Sequence, residues 1–344
     1  MVNRIGILTG GGDCPGLNAA IRAIVRRCDQ RNIQTFGFRN GWKGVLQGEA
    51  EQLTISSTRG LLHRGGTLLG TSRVDPYREE DGIARIKDTL EVFRLDGLVV
   101  IGGEGTLSAS TRLWEDEGIP IVGIPKTIDN DVNGTELTIG FLTAVDVATE
   151  AVDRLHSTAE SHNRVMVLEL MGRHAGWIAT FAGMAGGADA ILIPEVPFDI
   201  EAVGRHIKHR AGSGRDFSIV VVAEGAQPKE GTMELADPEL DEFGRPKLGG
   251  LGHAVAWEIE QRTNFPARVT ILGHIQRGGS PNPMDRVLAT RMGVKAADLA
   301  GDGEWGMMTA YNDFRVGPVP LREAVGELKT VPDKLYRVAE VFFG

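Results

Sequence analysis

Lys126, Thr127, Asp129 and Asp131 fall within six residues, at the end of the stretch IPIVGIPKTIDND (119–131). The apolar run 119–124 before them holds β-branched residues and stops at Pro125, so it reads as a buried strand. Two carboxylates and a cation at the end of a buried strand are where an open α/β sheet places its ligand chemistry. A turn with a helix cap would also use Asp and Asn, but needs no such density of charge. One aspartate can serve as general base toward a hydroxyl as a phosphoryl group arrives, with the other as its partner.

Two glycine loops extend the set. GGGDCPG (10–16) and GGEGT (102–106) lack side chains where backbone N–H groups would meet an anion. The second opens a helix, whose dipole adds positive potential. Strand-to-helix turns also need glycine for purely structural reasons. Neither loop is a P-loop, since Lys-Ser/Thr is missing, and neither fits GxGxxG. Glu104 stands between glycines and is a candidate Mg²⁺ ligand beside phosphate oxygens, or simply a first-turn acid. The cations Arg164, Arg173, Arg268, His274 and Arg277 lie at or near strand ends, and arginine forks suit phosphate oxygens. A base, a Mg²⁺ ligand, anion cradles and arginines together predict phosphoryl transfer to a phosphorylated acceptor. Hydride transfer has no use for this cation set, and a pure nucleotide-binding module would not need Asp129 facing the glycine loops.

Composition narrows the class. The net charge of −9 argues against nucleic-acid binding, which needs a basic face. No run of about 18 apolar residues is present, so no membrane span is expected. The N-terminus MVNRIGILTGGGD enters a strand with no signal-peptide pattern, and two cysteines make no disulfide framework. A cytoplasmic protein is expected, with Cys14 as a small buried side chain.

The elements that must position these residues alternate. Strands are predicted at 4–9, 34–38, 97–101, 119–124, 164–170, 190–193, 217–223 and 267–272. Helices are predicted at about 17–31, 81–95, 104–117, 142–160, 177–186, 199–211, 250–263 and 284–300. Residues 226–249 form an excursion with a short hairpin, and the C-terminal tail is left unplaced. Six strands end in a conspicuous loop, the others being MGRHAG (171–176), EG (224–225) and GHIQRGG (273–279). Alternation predicts an α/β fold: two Rossmann-like lobes with parallel-type sheets flanked by helices and the active site in the cleft between them. The boundary is expected near residue 140, with 1–140 plus about 274–325 as the larger lobe and 141–273 plus the C-terminal tail as the smaller.

The motifs together resemble the 6-phosphofructokinase family, from about residue 4 to residue 300. GGDxPGxNAAIR appears as GGDCPGLNAAIR at 11–22, RGGTxLG at 64–70, and the TIDND, MGR and GHIQRGG loops are intact. The resemblance implies transfer of the γ-phosphoryl of ATP, with Mg²⁺, to the 1-hydroxyl of fructose 6-phosphate. It implies that Gly12, Arg73, Gly103, Glu104, Gly105 and Thr106 bind the donor, with Glu104 at the metal position. Asp129 would be the base, Thr127 and Ile128 would adjoin the sugar, Asp131 would support the site, and Arg173 would steady the phosphoryl group. Met171, Gly172, Glu224, His274, Gln276 and Arg277 would hold the sugar phosphate. Arg164 and Arg268 would reach in from a neighbouring subunit of a homotetramer or homodimer. An effector set at Arg22, Arg26 and Arg154 is also implied. For the first two the alternative is a solvated helix face, and the basic cluster expected near 210–216 is reduced to RAGSGRD.

Donor choice turns on two positions. Pyrophosphate-dependent members carry Lys at 126 and Asp at 105, whereas this chain has Lys126 with Gly105. That mixture resembles the actinobacterial mixed-substrate group. Asp at 105 would put bulk and charge where a nucleotide α-phosphate lies. Lys126 is long and flexible, free to swing aside or pair with a phosphate. ATP is therefore the expected donor, with pyrophosphate the alternative.

Overall fold

A strand buried on both faces needs layers of chain on both sides, and residues 97–102 (GLVVIG) are buried throughout. The structure, a computed structural model, describes residues 2–235 and 248–343. Its elements begin β1 (Arg4–Thr9), α1 (Leu17–Gln30), β2 (Gln34–Phe38), α2 (Trp42–Gln47), β3 (Ala50–Leu53), α3 (Gly82–Phe93) and β4 (Gly97–Gly102). They continue α4 (Glu104–Glu115), β5 (Ile121–Pro125), α5 (Phe141–His162), β6 (Val165–Leu170), α6 (Trp177–Ala185), β7 (Ala190–Leu192) and α7 (Ile200–Gly212). The remainder are β8 (Ser218–Ala223), α8 (Leu251–Thr263), β9 (Ala267–Ile271), α9 (Pro283–Asp302), β10 (Met307–Asn312), β11 (Arg315–Pro320) and α10 (Asp333–Glu340). Part of the expected hairpin in 226–249 lies outside the described residues.

The chain divides into two units, Met1–Thr143 with Arg277–Lys329, and Ala144–Gln276 with Thr330–Gly344. Among the described residues, the first unit carries a seven-stranded sheet in the order β11-β10-β5-β4-β1-β2-β3. Its inner strands are parallel, while β3 and β11 pair antiparallel at the two edges. The chain leaves β1 for β2 on one side, and β4 lies on the other, so a topological switch point falls between β1 and β4. Such a point opens a crevice beyond the strands' carboxyl ends. Leu8, Leu98, Val100, Leu107, Ile121 and Met308 build part of the core around this sheet.

The second unit carries a parallel four-stranded sheet in the order β7-β8-β6-β9. Val165, Val167, Val220 and Val222 meet Ile200, Val255 and Ile259 in its core. Asp199 starts α7 by accepting hydrogen bonds from the N–H groups of Glu201 and Ala202.

The tail left unplaced by sequence forms β10, β11 and α10. Asp313 and Phe314 join the two strands with φ of 48° and 62°. Two left-handed residues make the hairpin turn whose twist suits antiparallel strands, and Asn-Gly is its usual sequence. Asp-Phe carries no such signal.

Candidate active site

The loops after β1 and β4 meet at the switch point. The N–H of Gly10 donates to the Ile101 carbonyl at 2.9 Å, and that of Gly11 to the Ser72 carbonyl at 3.0 Å. Exposed Arg73 follows Ser72 directly, so it is carried to this loop. Thr106, in the first turn of α4, is wedged between the loops: a Cβ added at Gly10 would lie 2.7 Å from its side chain, and one at Gly102 2.4 Å. Those two glycines are therefore demanded by packing. Gly103 precedes Glu104 at the start of α4, where N–H groups lack helical partners. At Gly105 a Cβ would meet nothing within 4 Å.

Gly12 is a different case, since a Cβ there would lie 1.6 Å from a guanidinium nitrogen of Arg277. Arg277 thus lies against the bare backbone of the first loop. The carbonyl of the same Gly12 accepts from the ammonium of Lys126. Lys126 is 2% exposed, and burial pulls its pKa down. The sequence suggested a mobile side chain at 126; the structure ties it to the glycine loop, because a buried ammonium must find an acceptor. Cys14 is buried, donates its thiol to the Ile139 carbonyl at 3.2 Å, and is held protonated by burial.

Beyond Lys126 the chain closes a loop over 127–138. Asp129 is 4% exposed; its N–H donates to Thr127 Oγ1 at 3.1 Å, and that hydroxyl lies 3.4 Å from Asp129 Oδ2. Ile128 is buried beside it. Asn130, at φ 53°, accepts from the Thr138 N–H at 3.0 Å and donates to the Glu136 carbonyl at 3.1 Å. Thr138 Oγ1 donates to the Thr127 carbonyl at 2.7 Å. Asp131, half-buried, lies one residue past this knot.

Two residues that sequence reasoning missed brace the surroundings. Asn18 donates to the Arg64 and Gly65 carbonyls and accepts from the Leu68 N–H, which ties the NAAIR segment to RGGTLLG. Asp285 is fully buried and accepts from the Gly140 and Thr143 N–H groups and the Thr143 hydroxyl, at 2.9, 2.8 and 2.5 Å. Its only sequence signal was Asn282-x-x-Asp285, which reads as a helix start: Asn282 does cap α9 through the Asp285 N–H.

In the second unit the loops after β6, β8 and β9 align, with Leu170 opposite Ala223 and Glu169 opposite Ile271. Arg173 sits at φ 51°, and its N–H donates to Glu224 Oε1 at 3.2 Å. A Cβ on Gly225 would stand 1.8 Å from the Arg173 carbonyl oxygen, so the two loops pack backbone to backbone. Met171 and Gly172 belong to the same turn. After β9, His274 is exposed and Gln276 is buried, its amide donating to the Gly273 carbonyl at 3.2 Å.

Arg164 and Arg268 part company with this group. Arg164 precedes Val165, and Arg268 pairs with Met166, so both lie at the amino end of the sheet. A six-residue strand spans roughly 20 Å, which separates them from the Arg173 and Glu224 loops of the same chain. Arg268 is exposed on an edge strand, 3.5 Å from Glu260. Of the implied effector residues, Arg22 and Arg26 share one face of α1, and burial together with Arg26 lowers the Arg22 pKa. Arg154, on α5, pairs with Glu150 at 2.5 Å. Arg210, in the reduced basic segment, is buried against Asp189 at 2.8 Å.

Glu104 is exposed at the mouth of the second glycine loop. No group of three or more His, Cys, Asp or Glu residues among the described residues would hold a metal by itself. A single open carboxylate fits Mg²⁺, which takes one or two carboxylates and completes its shell with phosphate oxygens and water. No helix among the described residues is long and apolar enough to cross a membrane.

Comparison with known proteins bears on the family and the fold. Residues 4–300 match the family model described as Phosphofructokinase. A pyrophosphate–fructose 6-phosphate 1-phosphotransferase of Streptomyces coelicolor is 53% identical over 342 residues, 99% of this chain and 100% of that one. An ATP-dependent 6-phosphofructokinase of Mycobacterium bovis is 54% identical over 343 residues, again 99% and 100%. The solved phosphofructokinase of Saccharomyces cerevisiae superposes with a TM-score of 0.79 at 32% identity, over 94% of this chain and 45% of that longer one. With such matches along nearly its whole length, and with the family's glycine, TIDND and MGR loops set at the carboxyl ends of its strands, the chain belongs to the phosphofructokinase family.

Proposed function

We propose that this phosphofructokinase uses ATP, transferring its γ-phosphoryl group to the 1-hydroxyl of D-fructose 6-phosphate. The observation that carries the choice of donor is the open space at Gly105, where a Cβ would meet nothing outside its own turn of helix within 4 Å. An aspartate there would project into the approach to the α4 N-terminus; glycine leaves it to a nucleotide. Lys126 is tied by its ammonium to the Gly12 carbonyl, where its positive charge lies beside the first glycine loop.

Asp129 takes the proton of the sugar 1-hydroxyl as that oxygen forms its bond to the γ-phosphorus and the bond to the β-phosphate oxygen breaks. Thr127 orients the carboxylate, and Asp131 supports the loop. N–H groups of Gly103, Gly105 and Thr106 at the α4 N-terminus, with Gly12 and Arg73, hold the donor phosphates. Glu104 would hold Mg²⁺, which supplies neutralising charge at the phosphate oxygens. Arg173 steadies the transferring group, while Met171, Gly172, Glu224, His274, Gln276 and Arg277 hold the sugar phosphate. Arg164 and Arg268, at the amino end of their sheet, act in the site of a neighbouring subunit of a homotetramer or homodimer.

A second reading takes pyrophosphate as donor, and Lys126 with the Streptomyces coelicolor relative favours it. Separate assays of fructose 1,6-bisphosphate formation with ATP and with pyrophosphate decide between them. The expected result is turnover with ATP; turnover with pyrophosphate alone would overturn the proposal.

A further inference from the structure

The loop that carries Asp129 is knotted on one side by Asn130 and Thr138, but its far side, 131–136, runs partly exposed. Three carbonyls of that far side are gathered by one distant residue. The backbone N–H of Lys329 donates to the Asp131 carbonyl at 3.1 Å, and its ammonium donates to the Thr135 and Glu136 carbonyls at 2.8 and 3.0 Å. Lys329 lies 194 residues beyond Thr135 in the chain, in an irregular segment after β11.

We propose that Lys329 is a positioning residue for catalysis, fixing the 131–136 span so that Asp129 is held in its reactive place. The proposal rests on the reading of Asp129 as the base. Its physical basis is the reach of the contact. An ammonium has three donors and no acceptor, so it can collect carbonyls that point the same way and cannot pair among themselves. Other anchors of the span lie on β10: the Glu136 N–H on the Tyr311 carbonyl and the Asn312 side chain, the Asn312 amide on the Gly134 carbonyl, and Thr135 Oγ1 against the Tyr311 backbone. These hold its outer end; Asn130 reaches that end through the Glu136 carbonyl, and Lys329 joins it, from outside the loop, to the Asp131 carbonyl, two residues from Asp129. Burial lowers the Lys329 pKa to about 7, against the pull of the Asp131 and Glu136 carboxylates.

The test compares wild type with Lys329→Met and Lys329→Arg, measuring kcat, KM for fructose 6-phosphate and Tm with whichever donor supports turnover. Lys329→Met removes every side-chain donor and also removes a buried charge, so Tm should stay close to wild type. Its kcat should fall about tenfold to hundredfold, the usual effect of a small misplacement of reacting groups, with KM little changed. Lys329→Arg, which keeps donors and charge, should recover much of the loss. An unchanged kcat in Lys329→Met overturns the proposal. So does a loss that follows Tm downward and is equal in Lys329→Arg, since that is a packing effect. If Lys329→Met yields no folded protein, Lys329→Gln carries the same comparison. A wild type inactive with both donors would instead overturn the functional reading, and this inference with it.

Discussion

At position 126 a lysine side chain four carbons long finds its partner on a neighbouring loop, and that contact changes what the residue implies. A solvated lysine beside a phosphate site would be a ligand or an obstacle. The buried one here has its ammonium bound to the Gly12 carbonyl, so it acts as a tie between the first glycine loop and the Asp129 loop. Donor choice then falls to Gly105, which faces open space. Gly105→Asp with Lys126 retained should cut kcat/KM for ATP by about a hundredfold or more, as expected when an unpaired charge is set against a phosphate. The fold should be undisturbed, since a Cβ at this position has open space around it. Steady-state kinetics beside a thermal melt make the measurement, and an unchanged kcat/KM for ATP would refute the steric argument.

Among the elements, α9 does more than cover the sheet. Asn282 caps its start, Pro283 sets its first turn, and the buried Asp285 that follows gathers the N–H groups of Gly140 and Thr143. The carboxylate thus fixes the chain where the loop after Asp131 turns into α5. Asp285→Ala would strand two buried backbone donors and a hydroxyl, each costing about 1–3 kcal/mol. A net loss of roughly 3–5 kcal/mol of stability is expected, as for breaking a buried charged contact. Urea unfolding of wild type and variant checks it. A loss below about 1 kcal/mol, the value of an ordinary exposed contact, would mean that water or a neighbour replaces the carboxylate.

For the whole molecule, Arg164 and Arg268 raise the question of assembly. They share the amino end of the four-stranded sheet, whereas Arg173, Glu224 and His274 gather at its carboxyl end. If the two arginines serve a neighbouring subunit's site, inactive chains should repair one another. Asp129→Asn and Arg268→Ala, each weak alone at low fructose 6-phosphate, should regain activity when co-expressed, because some mixed sites then hold both native residues. Activity equal to the sum of the separate variants would place both residues in one chain's site.

Much of this protein was legible in its sequence because the signals are local. Val- and Ile-rich runs bounded by glycine marked β1, β4, β5, β6, β8 and β9 within a residue or two, and the motifs at their ends named the family. What escaped was short or distant. Strand β3 has four residues and α2 six, too few to show a period, and the β10–β11 turn uses Asp-Phe in place of Asn-Gly. The sequence by itself determined which side-chain types stand at the strand ends, and so which residues are candidates for a base, a metal ligand and an anion cradle. Only the tertiary structure decided which of them are held and by what. The binding of Lys126 to Gly12, the gathering of Gly140 and Thr143 by Asp285, and the reach of Lys329 to the Asp131 loop are hydrogen bonds across long stretches of chain. They follow from burial, which obliges each polar group to find whichever partner the fold brings near.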